Sequence, residues 1–94
     1  MGTAFCSLGQ SDKAIEFHTK HLNISRELGD RAGEGRALGN LGSAFDRRGQ
    51  HDKAIEFFTN HLNICRELED RAGEDRALGN LEVARNRKNA SVPD

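Results

Sequence analysis

The sequence predicts an all-α fold in which antiparallel helical hairpins stack into a short superhelix of about five helices, the first one truncated. Residues 2–41 and 42–81 align without a gap, and 30 of these 40 positions are identical, which is typical of an array of one supersecondary unit. Apolar residues within each repeat recur with helical spacing. A short glycine-containing segment separates the two helical segments, which predicts that they run antiparallel.

The first predicted hairpin is incomplete. Met1 aligns with Leu41, so the chain enters the array in the middle of a helix. We therefore predict a helical stub at about residues 2–8 and a second helix at about residues 11–28.

The central hairpin is predicted to pair a helix at about residues 31–48 with one at about 51–68. In the first, an apolar stripe with i, i+1, i+4, i+7, i+8 spacing comprises Ala37, Leu38, Leu41, Ala44 and Phe45. Gly49 can adopt the left-handed conformation that ends this helix. Asp30 and Asp70 are predicted N-caps, with Glu34 and Glu74 in the following turns near the positive end of the helix dipole.

A last helix is predicted at about residues 71–87, without a partner helix. Its pattern changes along its length, because Gly42 is replaced by Glu82 and Phe45 by Arg85. We therefore predict a terminal cap. The predicted organisation is one repeat domain over residues 1–88, divided into a partial repeat (1–29), a complete repeat (30–69) and the unpaired helix (70–88), followed by a flexible tail (89–94).

Small and large side chains in the central repeat follow a known order. The segments Asn40-Leu41-Gly42-Ser43-Ala44-Phe45, Gly49 and 52–58 resemble a tetratricopeptide repeat, in which small residues at Gly42 and Ala54 allow close helix approach beside Phe45 and Phe58. The 40-residue period and the run over residues 29–42 resemble the long-repeat branch found in the Pins/LGN family of G-protein signalling modulators and in large invertebrate tetratricopeptide arrays. The resemblance covers about residues 2–84 and implies a right-handed α–α superhelix that binds proteins.

Composition and charge exclude several classes of function. The chain has 14 Lys and Arg residues against 15 Asp and Glu residues, without long blocks of one sign, so neither nucleic acid nor an anionic membrane is the predicted partner. No apolar run is long enough to span a membrane and no secretion leader is apparent, so we predict no membrane insertion and a cytoplasmic location. Cys6 and Cys65 occupy non-equivalent repeat positions, which favours reduced thiols.

One flank of the 31–48 helix is polar along its whole length. On a wheel of about 100° per residue, its side chains fall at roughly −100° to −160° from Leu41. The next helix repeats this pattern and continues it with Val83 and Arg87. We call the predicted binding residues the polar row; they are Arg36, Asn40, Ser43, Arg47, Arg76 and Asn80.

The resemblance implies that the polar row lines a concave groove and holds acidic or backbone groups of an extended peptide. The chemistry agrees, because arginine offers a planar fork of donors to a carboxylate and asparagine offers both a donor and an acceptor to a peptide bond. The alternative is that these residues are merely solvated and form salt bridges to Glu34 or Glu74.

Catalytic and metal chemistry is not predicted. The pair His18 and His21, at i and i+3, could share a metal, but their counterparts lie within the apolar stripe, so core packing with one satisfied nitrogen is favoured. No catalytic set, zinc spacing or phosphate-binding loop is present in the sequence. We predict no enzyme activity, no metal and no cofactor.

Two functions follow from these patterns. The first is a protein-interaction module, or adaptor, that binds an extended and acidic peptide in its groove. The second is a structural or self-associating fragment that forms a homodimer through exposed repeat ends and has no ligand of its own, because arrays of this kind usually need three or more units to bury a continuous core.

Overall fold

The computed structural model describes residues 3–91, with side chains from residue 12 to residue 90. Over this range the chain forms four helices: α1 (Thr3–Leu28), α2 (Arg31–Arg47), α3 (His51–Glu67) and α4 (Arg71–Ser91). The predicted all-α fold is confirmed. The array measures 41 × 28 × 18 Å, and it contains one helix fewer than the number predicted.

The difference in number arises in α1. The predicted stub and the helix after it form one continuous helix, which passes through Gly9 without a turn. A glycine inside a helix costs about 1 kcal/mol relative to alanine, and that is less than the cost of starting a new helix. At the other end α4 continues to Ser91, so residues 89–91 are helical where a tail was predicted.

The helix starts and stops in the middle of the chain follow from local chemistry. The carboxylates of Asp30 and Asp70 accept hydrogen bonds from the backbone amides of Gly33 and Gly73, each at 3.0 Å, as expected of N-caps. Gly49 follows α2 with φ of 83°, in the left-handed region that ends a helix. The predicted N-caps and turn are therefore confirmed.

Glu69 adopts a backbone conformation that favours glycine. Its φ is 57°, and the equivalent position of the first repeat is Gly29, with φ of 69°. We expect Glu69→Gly to raise the free energy of unfolding by about 1 kcal/mol, because a side chain in this region costs roughly 1–2 kcal/mol and the extra freedom of glycine in the unfolded chain offsets part of the gain. Urea denaturation measures the change. Glu56→Gly, at an exposed position within α3, is the control and is expected to lower stability; a decrease in both variants would contradict the expectation.

Consecutive helices pack against each other, so α1 contacts α2, α2 contacts α3 and α3 contacts α4. The helix α2 also contacts α4. Over residues 3–91 no corresponding contact joins α1 and α3. The array is therefore narrower on the side formed by α2 and α4, and we call this side the inner face.

Two apolar clusters hold the stack together. One lies among α1, α2 and α3 and is centred on Leu41; the other lies between α3 and α4 and includes Phe58 and Leu81. A Cβ atom at Gly42 would lie 2.6 Å from Cε1 of Phe58, so the absence of a side chain there lets the Phe58 ring pack directly on α2. Phe45 stacks on Phe57 with a centroid distance of 5.3 Å and links the two clusters.

Candidate functional site

A pocket of about 100 Å³ lies where the first turns of α2 and α4 approach the end of α3. Two members of the polar row, Arg36 from α2 and Arg76 from α4, line this pocket together. The other lining residues are Ala32, Gly35, His61, Ile64, Cys65, Leu68, Asp70 and Gly73. The structure therefore brings together two arginines that are 40 positions apart in the sequence.

His61 forms the inner wall of the pocket and was not predicted as part of it. Its ring lies over the glycines of α2, because a Cβ at Gly39 would be 2.8 Å from Nδ1 of His61 and one at Gly35 would be 3.5 Å from Cδ2. The side chain is 8% exposed, and Nδ1 is buried without a hydrogen-bond partner. The paired glycines at i and i+4, facing a histidine of the next helix, are the sequence signal that could have identified it.

Burial shifts the pKa values of two titratable groups of the pocket in the direction that favours the neutral form. Burial lowers the pKa of His61, and the nearby charge of Arg76 lowers it further. Burial also raises the pKa of the Cys65 thiol, which is free, and the acidic groups of Asp70 and Glu74 raise it further. The Asp70 carboxylate accepts the amide of Gly73 as the helix N-cap. Asp70 is the one carboxylate that lines the pocket beside the two guanidinium groups, and it already caps α4.

Ion pairs divide the arginines of the described segment into two groups. The first group is paired with carboxylates at 2.5–3.1 Å and comprises Arg26, Arg31, Arg48, Arg66 and Arg87. Among residues 12–90, no hydrogen bond or ion pair engages the rest, which are Arg36, Arg47, Arg71, Arg76 and Arg85. Three of this second group belong to the polar row. The other two lie on the outer side of α4, where a further helix would pack.

The polar row is accessible along its length. Arg36, Asn40, Arg47 and Arg76 are exposed, whereas Ser43 and Asn80 are half-buried. Only the two arginines nearest the helix N-termini reach the pocket; Asn40, Ser43, Arg47 and Asn80 are not part of its lining.

Two predictions about the polar flank change in the structure. Arg87, which continues this flank on α4, is already paired, and the salt bridges from the polar row to Glu34 or Glu74 do not form among the described residues. Arg87 donates to Asp46 on α2 at 2.5 Å, so this arginine holds α4 against α2. Glu34 is paired with Arg26 and Arg31, and Glu74 is paired with Arg66, so neither glutamate neutralises the polar row.

The part of the chain that the structure describes contains no group of three or more His, Cys, Asp or Glu side chains arranged to hold a metal. Nδ1 of His18 is buried without a partner, so the one satisfied nitrogen predicted for this histidine is not Nδ1. Burial and then the charge of His21 lower the pKa of His18. None of the described helices is long and apolar enough to cross a membrane. The side chain of Cys6 lies outside the described residues.

Comparison with known families agrees with this architecture. The family model described as tetratricopeptide repeat matches residues 1–67. The chain belongs to the tetratricopeptide repeat family. Tetratricopeptide repeats are non-enzymatic modules that generally bind other proteins.

Curated proteins with similar repeats and a solved structure support the same conclusion. G-protein-signaling modulator 1 of Homo sapiens is 60% identical over 30 residues, and that of Mus musculus is 57% identical over 30 residues. These segments span 32% of this chain and 4% of each relative, so the chain covers a small part of their length. The solution NMR structure of the designed protein DA05 superimposes with a TM-score of 0.81 and 29% identity, covering 88% of this chain and 83% of the design.

Proposed function

We propose that this tetratricopeptide array is an adaptor that binds an extended, acidic segment of a partner protein along its inner face. The observation that carries the proposal is the pair Arg36 and Arg76, two unpaired guanidinium groups at one pocket. Five arginines elsewhere in the described segment are neutralised by carboxylates of the chain itself. A guanidinium without an internal partner is available to form a charge-assisted, bidentate bond with a carboxylate of a ligand.

The remaining members of the polar row suit the backbone of the same ligand. Asn40, Ser43 and Asn80 lie further along α2 and α4, and their side chains offer donors and acceptors for peptide groups. Arg47 lies at the far end of α2, where it could meet a second carboxylate. An extended segment advances about 3.3 Å per residue, so a peptide of several residues is long enough to reach from the pocket to Arg47.

The test compares two double variants with equal changes in net charge. Arg36→Glu/Arg76→Glu is expected to weaken binding of a fluorescein-labelled Glu/Ser peptide at least about tenfold, because two charge-assisted bonds are replaced by repulsion. Fluorescence anisotropy measures the affinity. The control, Arg71→Glu/Arg85→Glu, changes arginines on the opposite side of α4 and is expected to bind as wild type.

Two controls complete this experiment. Circular dichroism is expected to show that both double variants are folded, since all four arginines are exposed and unpaired within the described residues. A labelled Gln/Ser peptide of the same length is expected to bind weakly to every variant. Equal affinity of the two double variants for the Glu/Ser peptide, or no binding by the wild type, would contradict the proposal.

A further inference from the structure

Each end of the array exposes a helix face whose counterpart is buried in the central hairpin. On α1, Ile24 is 54% exposed, whereas its counterpart Ile64 is 5% exposed. On α4, Leu78 is 43% exposed, whereas its counterpart Leu38 is 2% exposed. We call these surfaces the α1 end face, formed by Phe17, His18, His21, Ile24 and Glu27, and the α4 end face, formed by Arg71, Leu78, Gly79, Glu82 and Arg85.

We propose that the α4 end face binds the α1 end face of a second copy of this chain, giving a head-to-tail stack. The two faces resemble an interface that exists within the chain, because α3 packs on α2 and most of the sequence of these two helices is present a second time. Residues 12–28 differ from residues 52–68 only at positions 18, 20 and 25. Residues 71–81 differ from residues 31–41 only at Asp75, which replaces Gly35.

An ion pair of the central hairpin shows what the stack would add. Arg31 on α2 donates from Nε and Nη2 to the two carboxylate oxygens of Glu67 on α3, at 2.9 and 2.6 Å. Its counterparts, Arg71 on α4 and Glu27 on α1, are exposed, and within residues 12–90 neither has a hydrogen bond or ion pair. Docking α1 of one copy on α4 of another in the geometry of α3 on α2 brings these two residues together.

The substitutions on the two end faces also match each other. In the central hairpin the Phe58 ring packs on Gly42. The corresponding pair in the stack is His18 with Glu82. Because a Cβ at this position has no room beside a ring in the central geometry, the two helices must lie further apart here, and the imidazole of His18 can then donate a hydrogen bond to the Glu82 carboxylate.

The contact between the two aromatic rings of the central hairpin changes in a similar way. The pair Phe45 and Phe57 becomes Arg85 and Phe17 in the stack, and a guanidinium group on an aromatic face is a favourable contact. Phe17 is 66% exposed in the single chain, so this contact would cover one face of an exposed apolar ring.

Because the two faces differ, the association is heterologous and each added copy leaves a free face at either end. Successive copies would continue the inner face, with one polar row following another. The proposal does not depend on peptide binding by that face, since the end faces and the polar row share no residue.

Sedimentation velocity over a range of protein concentrations tests the stack. The wild-type chain is expected to show a weight-average mass that rises with concentration, through dimers to longer species. Leu78→Asp places a charge in the apolar centre of the interface and is expected to raise the dissociation constant at least about tenfold. The control is Val83→Asp on the same helix, where Val83 is 45% exposed but lies outside the α4 end face. A wild-type chain that remains monomeric, or equal effects of the two substitutions, would overturn the proposal.

Charge exchange then tests the orientation. Arg71→Glu and Glu27→Arg each place like charges across every interface, so each variant alone is expected to associate more weakly than wild type. When the two variants are mixed, the glutamate introduced at position 71 of one copy faces the arginine introduced at position 27 of the other. In the other type of interface, Arg71 of one variant still faces Glu27 of the other. Association is therefore expected to return in the mixture. Recovery in the mixture, together with weaker association of each variant alone, supports head-to-tail docking. Pairing of two α1 end faces would leave the Arg71→Glu variant as associated as wild type, and that result, or no recovery in the mixture, would overturn the proposal.

Discussion

The Leu41→Ala variant is expected to lose about 3 kcal/mol of its free energy of unfolding, within the range measured for large-to-small changes in protein cores. Leu41 is 2% exposed and is the largest fully buried side chain of the described residues. It packs in the cluster formed by Leu22, Ala37, Leu38 and Ile64, which come from three consecutive helices. Truncation therefore leaves a cavity at the point where α1, α2 and α3 meet.

This loss is large in relation to the total free energy of unfolding of the chain. A chain of this size has a free energy of unfolding of roughly 5 kcal/mol at the lower end of the usual scale, so the variant retains less than half of it. Urea denaturation followed by circular dichroism measures the change, and Leu28→Ala is the control because Leu28 is 76% exposed. We expect the control to change stability by less than about 0.5 kcal/mol. Similar losses in the two variants would mean that Leu41 does not anchor the core.

Features that depend on neighbouring residues could be predicted from the sequence. The caps at Asp30 and Asp70 and the turn at Gly49 follow from hydrogen bonds and backbone angles within a few residues, and the structure confirms them. The helix boundaries at the two ends could not be predicted by copying the central repeat. There, each terminal helix packs on one consecutive helix of the described chain instead of two, and α1 runs through Gly9 while α4 continues to Ser91.

The candidate site shows the same division between local and tertiary information. The polar row was predicted from helical geometry alone, because its residues share one flank of a helix. Which arginines are free depends on partners far away in the sequence, and Arg87 meets Asp46 at a separation of 41 residues. His61, the counterpart of His21, lies within an apolar stripe, so the sequence indicates a core residue. Its position at the pocket depends on how α2 and α4 meet over α3.

The Gly42→Ala variant is expected to lose about 2 kcal/mol of its free energy of unfolding, because one added methyl group has no room. A Cβ at this position would lie 2.6, 2.7 and 3.0 Å from three ring carbons of Phe58. The ring cannot easily move, since it is 3% exposed and is held between α3 and α4 by Ala54, Leu62 and Ala77. The added methyl group is therefore expected to disturb the packing of both apolar clusters.

A matched substitution separates this strain from the ordinary effect of removing a glycine. Gly79 also lies inside a helix, but a Cβ there would meet no atom within 4 Å apart from the local backbone of α4. Gly79→Ala is therefore expected to raise the free energy of unfolding by about 1 kcal/mol through helix propensity alone. Chemical denaturation at low protein concentration compares the two variants. A loss of stability in Gly42→Ala with a gain in Gly79→Ala would show that Gly42 is required for helix packing. A gain in stability in both variants would show that the helices can move apart to accommodate a methyl group.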